Sequence, residues 1–170
     1  MTVRSTLVLG GARSGKTRRA LAIGEGFAER YYIATAEALD VEMADRIARH
    51  KDERGGAWTT IEAPLDLAGA IRSVASREAV CVVDCLTLWL SNLFGAGRDV
   101  REATAELCRA VTASRPALVL VSNEIGLGLV PETPLGRAFR DEQGRLNQAV
   151  AEAVDSVELV VAGQVLRIKS

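Results

Sequence analysis

Several features that would point to a membrane, nucleic-acid-binding or secreted protein are missing from this sequence. No apolar run approaches the ~20 residues that a membrane span needs. No block of basic residues indicates a nucleic-acid partner, because charges of both signs are interspersed and the formal net charge is -1. The first apolar run begins within a few residues of the N-terminus, so we expect no signal or transit peptide. We therefore expect a soluble cytoplasmic protein in which residues 1–170 form a single domain.

Cysteine and histidine are too few to indicate a metal site. The three cysteines, Cys81, Cys85 and Cys108, include no Cys-x-x-Cys pair, and His50 is the only histidine. Cys81 lies inside an apolar strand pattern and Cys85 lies just after it. We interpret the cysteines as buried, reduced thiols rather than as redox or metal-binding groups. Aromatic residues make up only 4% of the chain, and we interpret them as packing residues rather than as cofactor-stacking ones.

What the sequence does contain is a glycine-rich turn between an apolar run and a helical pattern. Gly10-Gly11-Ala12-Arg13-Ser14-Gly15-Lys16-Thr17 follows the run Leu7-Val8-Leu9 and matches the P-loop pattern Gly-x4-Gly-Lys-Thr. Its glycines allow successive backbone N–H groups to face a phosphate, and the following helix adds its positive N-terminus. Lys16 supplies a charge for the β- and γ-phosphates, and the Thr17 hydroxyl suits a Mg²⁺ shell. The alternative, a merely tight turn between strand and helix, does not explain Lys16 and Thr17.

Apolar patterns along the chain predict strands that alternate with helices. Several strands are apolar throughout, which indicates a mostly parallel sheet covered by helices on both faces. Predicted strands lie at Leu7–Leu9, Tyr31–Thr35, Trp58–Glu62, Ala79–Asp84, Ala117–Ser122 and Val157–Val161, with Val165–Ile168 as a C-terminal edge strand. Predicted helices run from the P-loop to about Arg30, from Asp40 to about Arg54, through Leu65–Val74 and Leu86–Phe94, and over about Val100–Ala113 and Arg137–Val154. We interpret 126–136, which has three glycines and two prolines, as a loop that closes over a ligand.

Polar residues follow two of the predicted strands, where the ligands of parallel sheets bind. Asp84 ends an apolar strand, which is the place of a carboxylate that orients the Mg²⁺ waters beside a P-loop Thr. The alternative is an aspartate that caps the next helix. Asn123 and Glu124 leave another buried strand at the same edge, either as ligand contacts or as turn residues. No Asn-Lys-x-Asp motif follows any strand, so the sequence leaves the base preference open.

His50 lies in a strongly basic stretch. It shares a helical row with Arg46 and Arg54, and Arg49 and Lys51 lie nearby in the sequence. Such neighbours disfavour the charged imidazole, which leaves a neutral ring nitrogen that can attack a phosphorus atom. From spacing alone, however, we favour the simpler interpretation of a surface histidine on a basic helix.

Taken together, these motifs resemble the bifunctional adenosylcobinamide kinase/adenosylcobinamide-phosphate guanylyltransferase family of cobalamin biosynthesis. The resemblance runs from Leu7 to about Lys169. It rests on the P-loop, Tyr32-Ile33-Ala34-Thr35-Ala36, Glu42-Met43 with Arg46-Ile47-Ala48-Arg49-His50-Lys51, Trp58-Thr59-Thr60-Ile61-Glu62, Asn123-Glu124-Ile125-Gly126-Leu127-Gly128-Leu129-Val130-Pro131, and Phe139-Arg140-Asp141 with Gly144-Arg145-Leu146-Asn147.

The resemblance implies an α/β, RecA-like P-loop NTPase fold and two reactions. The first phosphorylates the aminopropanol hydroxyl of adenosylcobinamide with ATP or GTP. The second transfers GMP from GTP to adenosylcobinamide phosphate through a GMP-histidine intermediate and releases pyrophosphate. The family's nucleophile falls on His50, which reverses the interpretation from spacing. The resemblance also implies a homo-oligomer, a trimer, with sites shared between subunits.

The same resemblance implies a set of nucleotide contacts, to which the P-loop and strand patterns add Mg²⁺ at Thr17 and Asp84. They are Gly10, Gly11, Ala12, Arg13, Ser14, Gly15, Lys16, Thr17, Ala34, Thr35, Ala36, Lys51, Asp52, Glu53, Arg54, Glu62 and Asp84. No residue stands out as a base for the kinase step, and phosphoryl transfer needs mainly positioning and charge neutralisation. Two other functions stay open: a P-loop kinase for another small metabolite, without a covalent nucleotide adduct, and a nucleotide-dependent switch that acts on a protein partner.

Overall fold

The strands form one seven-stranded sheet in a computed structural model that describes residues 4–37 and 55–170. They are β1 (Ser5–Gly10), β2 (Glu29–Ala34), β3 (Thr59–Glu62), β4 (Ala79–Asp84), β5 (Ala117–Asn123), β6 (Ser156–Val161) and β7 (Gln164–Lys169). Their order across the sheet is β3-β2-β4-β5-β1-β6-β7, and only the pair β6–β7 is antiparallel. The predicted parallel sheet with a C-terminal edge strand is confirmed.

Helices cover both faces of this sheet, as the apolar strands predict. The helices are α1 (Lys16–Gly24), α2 (Leu67–Ser73), α3 (Leu86–Gly95), α4 (Val100–Thr112) and α5 (Pro134–Ala153), with a short 3₁₀ turn at Gly55–Ala57. On one face, Ala20 of α1 packs with Val8 and Val82. On the other face, the inward side chains of α2 to α5 pack with the alternate strand residues, among them Leu7 and Val83. Strands buried on both faces explain the continuous apolar runs. No helix in the two described ranges is long and apolar enough to cross a membrane.

Two predicted helix boundaries are wrong. The first helix ends at Gly24 rather than near Arg30, because Glu29 and Arg30 pair with Ala79 and Val80 and begin β2. At Gly24 a side chain would collide with the ring of Trp58, so α1 and the Trp58 side chain come into close contact there. The predicted helix from Asp40 to Arg54 lies outside the described residues.

The last helix starts earlier than predicted. Thr133 caps it by accepting a hydrogen bond from the Gly136 N–H at 3.1 Å, and Pro134 occupies the first turn, where a missing N–H costs nothing. Gly136 therefore belongs to α5 and not to the preceding loop. The loop itself leaves Leu127 and Leu129 88% and 96% exposed.

The cysteines are free thiols, as interpreted from the sequence. Cys81 and Cys85 are buried and Cys108 is partly buried. Burial raises the pKa of Cys81 to about 12 and that of Cys85 to about 11, so both remain protonated at neutral pH. The prediction of buried thiols is confirmed for Cys81 and Cys85.

An ion pair connects α1 to strand β6. Arg19 on α1 donates two hydrogen bonds to the Glu158 carboxylate on β6, at 2.7 and 2.8 Å. Glu158 is only 3% exposed. The hydrogen bonds from Arg19 lower the pKa of Glu158 below its usual range, against the opposing effect of burial. The pair therefore compensates a buried charge and orients the helix that follows the P-loop.

Replacing Arg19 with methionine (Arg19→Met) should destabilise the protein by roughly 2 to 3 kcal/mol at pH 7, because Glu158 loses two charge-assisted hydrogen bonds. The lowered pKa means that the stabilisation is present above the unfolded pKa of Glu158 and is lost as the pH falls through the folded value. Urea unfolding at pH 7 and at about pH 3 should therefore show a smaller difference from the wild type at pH 3 than at pH 7.

Arg109→Met provides the matched control, because Arg109 is exposed on α4. It should change the free energy of unfolding by less than about 0.5 kcal/mol. An equal loss of stability for Arg19→Met at both pH values would show that the Arg19 side chain acts through packing and not through its charge.

Candidate nucleotide-binding site

The carboxyl ends of the central strands meet at one edge of the sheet. Gly10 at the end of β1 pairs with Asn123 at the end of β5. Ala34 at the end of β2 pairs with Glu62 on one side and with Asp84 on the other. The P-loop therefore shares this edge with the polar residues that were predicted to lie there. Such an edge is where open parallel sheets bind their ligands.

The P-loop has the backbone of a phosphate cradle. Gly15 has a φ of 100° and Arg13 a φ of 56°, so the chain turns through two left-handed conformations before α1 begins. The Lys16 ammonium donates a hydrogen bond of 2.8 Å to the Gly11 carbonyl across the loop. The N-terminal N–H groups of α1 and this cation create a positive concavity.

The loop is packed tightly on its outer side. The Gly163 N–H, in the turn between β6 and β7, donates to the Ser14 carbonyl at 2.8 Å. A side chain at Gly10 would collide with Ser14 Oγ and lie 2.7 Å from the Val160 carbonyl oxygen. Gly10 is therefore required for the close approach of the P-loop to β6.

Asp84 meets the P-loop helix directly. The Thr17 hydroxyl donates to Asp84 Oδ2 at 2.9 Å, and the Tyr32 hydroxyl donates to the same oxygen at 2.9 Å. Thr17 and Asp84 were predicted as a pair of magnesium-binding residues, and the structure brings them together. Tyr32 is an addition that the sequence did not reveal as a site residue. Ala34 pairs with Asp84, and Tyr32 lies two residues before Ala34. Because residues two apart on a strand share a face, the side chains of Tyr32 and Asp84 lie on the same face of the sheet.

The segment after β2 is fixed by backbone and side-chain hydrogen bonds. Thr35 is fully buried, and its hydroxyl donates to the Cys85 carbonyl at 2.7 Å and accepts from the Cys85 N–H at 2.8 Å. The Asn92 amide donates to the carbonyls of Thr35 and Pro64, at 2.7 and 3.0 Å. Ala34 and Ala36 are partly exposed on either side. Thr35 therefore shapes this edge with a side chain that faces the protein interior.

A buried polar network supports the end of β5. Ser122 donates to Asn147 Oδ1 at 2.6 Å, and Gln143 donates to both residues at 3.0 Å. The Asn147 amide donates in turn to the Asn123 carbonyl at 3.1 Å. The sequence carries a signal for these residues, because Gln143 and Asn147 lie about one helical turn apart on the same face as the apolar Leu146.

Some of the remaining predicted residues are described by the structure, and others lie outside the described ranges. The exposed residues at the site are Gly11, Ala12, Arg13 and Glu62. Glu124 follows β5, and its N–H donates to the Gly10 carbonyl at 3.1 Å, so the next loop starts against the P-loop. His50, Lys51, Asp52, Glu53 and Arg54 lie outside the described residues, and their roles stay predictions.

The oxygen atoms at this edge suit a magnesium ion that accompanies a nucleotide. The Thr17 hydroxyl and the Asp84 carboxylate are hard oxygen donors, which Mg²⁺ prefers, and Mg²⁺ commonly takes one or two protein ligands besides water and phosphate. Ser14 Oγ is buried in the loop without a hydrogen-bond partner among residues 4–37 and 55–170. Those residues contain no cluster of three or more His, Cys, Asp or Glu side chains that would hold a metal by itself.

Curated relatives match nearly the whole chain. The family described as cobinamide kinase / cobinamide phosphate guanyltransferase matches residues 6–168. The bifunctional adenosylcobalamin biosynthesis protein CobP of Pseudomonas aeruginosa is 47% identical, over 96% of each protein. The bifunctional adenosylcobalamin biosynthesis protein CobU of Escherichia coli K12 is 40% identical, over 96% of this chain and 98% of the relative.

Solved structures with low sequence identity share the fold. The assembled ATPase EscN of the enteropathogenic E. coli type III secretion system has a TM-score of 0.57 at 9% identity. The match covers 94% of this chain but only 43% of EscN. A protein from Pyrococcus horikoshii OT3 has a TM-score of 0.54 at 9% identity, over 100% of this chain and 88% of its own. These likenesses confirm the predicted P-loop NTPase fold.

Gly10→Ala should destabilise the protein by about 1 to 3 kcal/mol, because the new methyl group has to displace Ser14 or the backbone of Val160. Since either movement reshapes the phosphate cradle, nucleotide affinity should fall as well. Thermal unfolding and titration with a fluorescent nucleotide measure the two effects.

Gly11→Ala is the matched control for stability, because a methyl group there meets no atom within 4 Å. Its free energy of unfolding should stay within about 0.5 kcal/mol of the wild type. Equal stabilities of the two variants would contradict the tight packing of the P-loop against β6.

Proposed function

Because this chain belongs to the cobinamide kinase / cobinamide phosphate guanyltransferase family, we propose that it performs both reactions on adenosylcobinamide. In the first, a nucleoside triphosphate phosphorylates the aminopropanol hydroxyl. In the second, GTP and adenosylcobinamide phosphate yield adenosylcobinamide-GDP and pyrophosphate. The observation that carries the proposal is the contact between Thr17 and Asp84 beside the P-loop, at the sheet edge where ligands bind.

In the kinase step, the described residues position and neutralise the triphosphate. The backbone N–H groups of the P-loop and the Lys16 ammonium bind the β- and γ-phosphates, which requires Lys16 to exchange the Gly11 carbonyl for phosphate. Thr17 and Asp84 would hold Mg²⁺, which would supply positive charge to neutralise the phosphates. The substrate hydroxyl oxygen forms a bond to the γ-phosphorus as the bond to the β,γ-bridging oxygen breaks, and the hydroxyl proton passes to solvent or phosphate.

In the guanylyl transfer, His50 acts as the nucleophile. A P-loop that binds the β- and γ-phosphates leaves the α-phosphorus accessible to a group from another segment. The neutral imidazole nitrogen bonds to the α-phosphorus, and the bond to the α,β-bridging oxygen breaks, so that pyrophosphate leaves. The phosphate of the acceptor then attacks the same phosphorus, forms the new diphosphate bond and releases the imidazole. The basic residues near His50, Arg46, Arg49, Lys51 and Arg54, offset the charge on the leaving group.

The test is intact mass spectrometry after the protein is incubated with GTP and Mg²⁺ in the absence of cobinamide. The wild type should gain one GMP, the adduct should be labile to acid, and His50→Ala should gain none. Because His50 is the only histidine, the variant removes every possible imidazole nucleophile. His50→Ala should still transfer the γ-phosphate to adenosylcobinamide, because that reaction uses the P-loop.

This second activity is the internal control, since it shows that the variant folds and binds nucleotide. If the wild type binds GTP but gains no GMP, the protein is a kinase that lacks the covalent step. An adduct that persists in His50→Ala would place the nucleophile on another residue. The trimeric assembly and the cytoplasmic location stay predictions, and the choice between ATP and GTP as phosphoryl donor stays open.

A further inference from the structure

The Asp84 carboxylate is held on one side by two hydroxyl groups. Thr17 and Tyr32 both donate to Oδ2, each at 2.9 Å. Within the described ranges, both of these hydrogen bonds to Asp84 end on the same oxygen, Oδ2. The two hydroxyl groups therefore fix the carboxylate through one oxygen.

The position of the Tyr32 hydroxyl is set by packing. Tyr32 is 3% exposed and lies in the apolar cluster between the sheet and α1. Its ring meets that of Trp58 edge to face, with centroids 6.5 Å apart and planes at 86°. Trp58 in turn fills the space beside Gly24 at the end of α1. A ring confined in this way places its hydroxyl at one point, because an aromatic side chain has only two rotatable torsions.

The two hydroxyl donors differ in what a nucleotide requires of them. Thr17 lies in the P-loop helix, and under the proposed function its oxygen also becomes a ligand of Mg²⁺. Tyr32 lies on β2, the strand that pairs with β4, and so belongs to neither the P-loop nor its helix. Tyr32 is thus the donor that keeps Asp84 oriented whether or not the metal is bound.

We propose that Tyr32 is a positioning residue for the magnesium site: by binding Oδ2 of Asp84, it directs Oδ1 toward the water shell of the ion that accompanies the nucleotide. The inference rests on the proposed nucleotide binding at the P-loop. It adds a residue of β2 that acts through Asp84 and touches neither the metal nor the phosphates. Carboxylates that orient metal-bound groups lose affinity for the metal when their own hydrogen-bond partners are removed.

The test measures how strongly Mg²⁺ and nucleotide promote each other's binding. Fluorescently labelled GDP is titrated into the protein across a range of Mg²⁺ concentrations and in excess EDTA; GDP is chosen because it lacks a transferable γ-phosphate. In Tyr32→Phe, nucleotide affinity at saturating Mg²⁺ should fall about threefold to tenfold, which corresponds to the loss of one hydrogen bond to a carboxylate. Affinity in EDTA should not change, because without the metal the carboxylate makes no favourable contact with the phosphates.

Tyr31→Phe is the matched control. Tyr31 is the preceding residue on β2 and packs on the opposite face of the sheet, so the same atom is removed far from Asp84. This variant should bind GDP as the wild type does at every Mg²⁺ concentration. Thermal unfolding of both variants gives the separate cost to stability.

Each other outcome overturns the inference. Equal losses for Tyr32→Phe with Mg²⁺ and in EDTA would make Tyr32 a residue of general structural importance. No loss under either condition would show that Asp84 is held without it. If the GDP affinity of the wild type does not depend on Mg²⁺, the proposed metal site is wrong but nucleotide binding at the P-loop stands. If the wild type does not bind GDP at all, the proposed function itself is contradicted.

Discussion

The hydrogen bond from the Thr17 hydroxyl to the Asp84 carboxylate joins the two segments on which nucleotide chemistry at this edge depends. One partner begins the P-loop helix, and the other ends a strand that lies two positions away from β1 in the sheet. For the two to meet at 2.9 Å, α1 has to sit at one height and one angle above the sheet. The Arg19–Glu158 pair holds α1 against β6, and Gly10 and Gly163 let the P-loop approach β6 closely. Much of the described architecture therefore serves to hold these two side chains in contact.

The surroundings of the site show how a sheet edge is kept rigid where its backbone ladder stops. Parallel strands leave unpaired backbone groups at their carboxyl ends, and buried groups of this kind have to find partners. Here, side chains from neighbouring elements supply them. Thr35 binds both backbone groups of Cys85, Asn92 binds the carbonyls that follow β2 and β3, and Asn147 binds the carbonyl of Asn123. These hydrogen bonds leave the exposed backbone of the P-loop as the part of the edge that is shaped to bind phosphate.

The features that could be predicted from the sequence are those that depend on the pattern of neighbouring residues. Ala79–Asp84 was predicted with its observed bounds, because a continuous apolar run that ends in a single carboxylate is typical of a buried parallel strand. The P-loop was recognisable because its chemistry lies in eight consecutive residues. The end of α1 was misplaced because helical periodicity continues past Gly24, whereas the pairing of Glu29 with Ala79 is a long-range contact that periodicity does not detect. Tyr32, Asn92 and Asn147 were not predicted as site residues for the same reason: their role depends on which residues the fold brings to them.

The central claim is that one P-loop serves two displacements, at the γ-phosphorus and at the α-phosphorus of the same kind of nucleotide. A crystal structure with Mg²⁺ and a GTP analogue that cannot be cleaved between the α- and β-phosphates tests it most directly. We expect Lys16 to leave the Gly11 carbonyl for the β- and γ-phosphates, and a nitrogen of His50 to lie about 3 to 3.5 Å from the α-phosphorus, in line with the bond that breaks. A nucleotide seated in the P-loop with its α-phosphorus enclosed by protein, and with His50 turned to solvent, would contradict it.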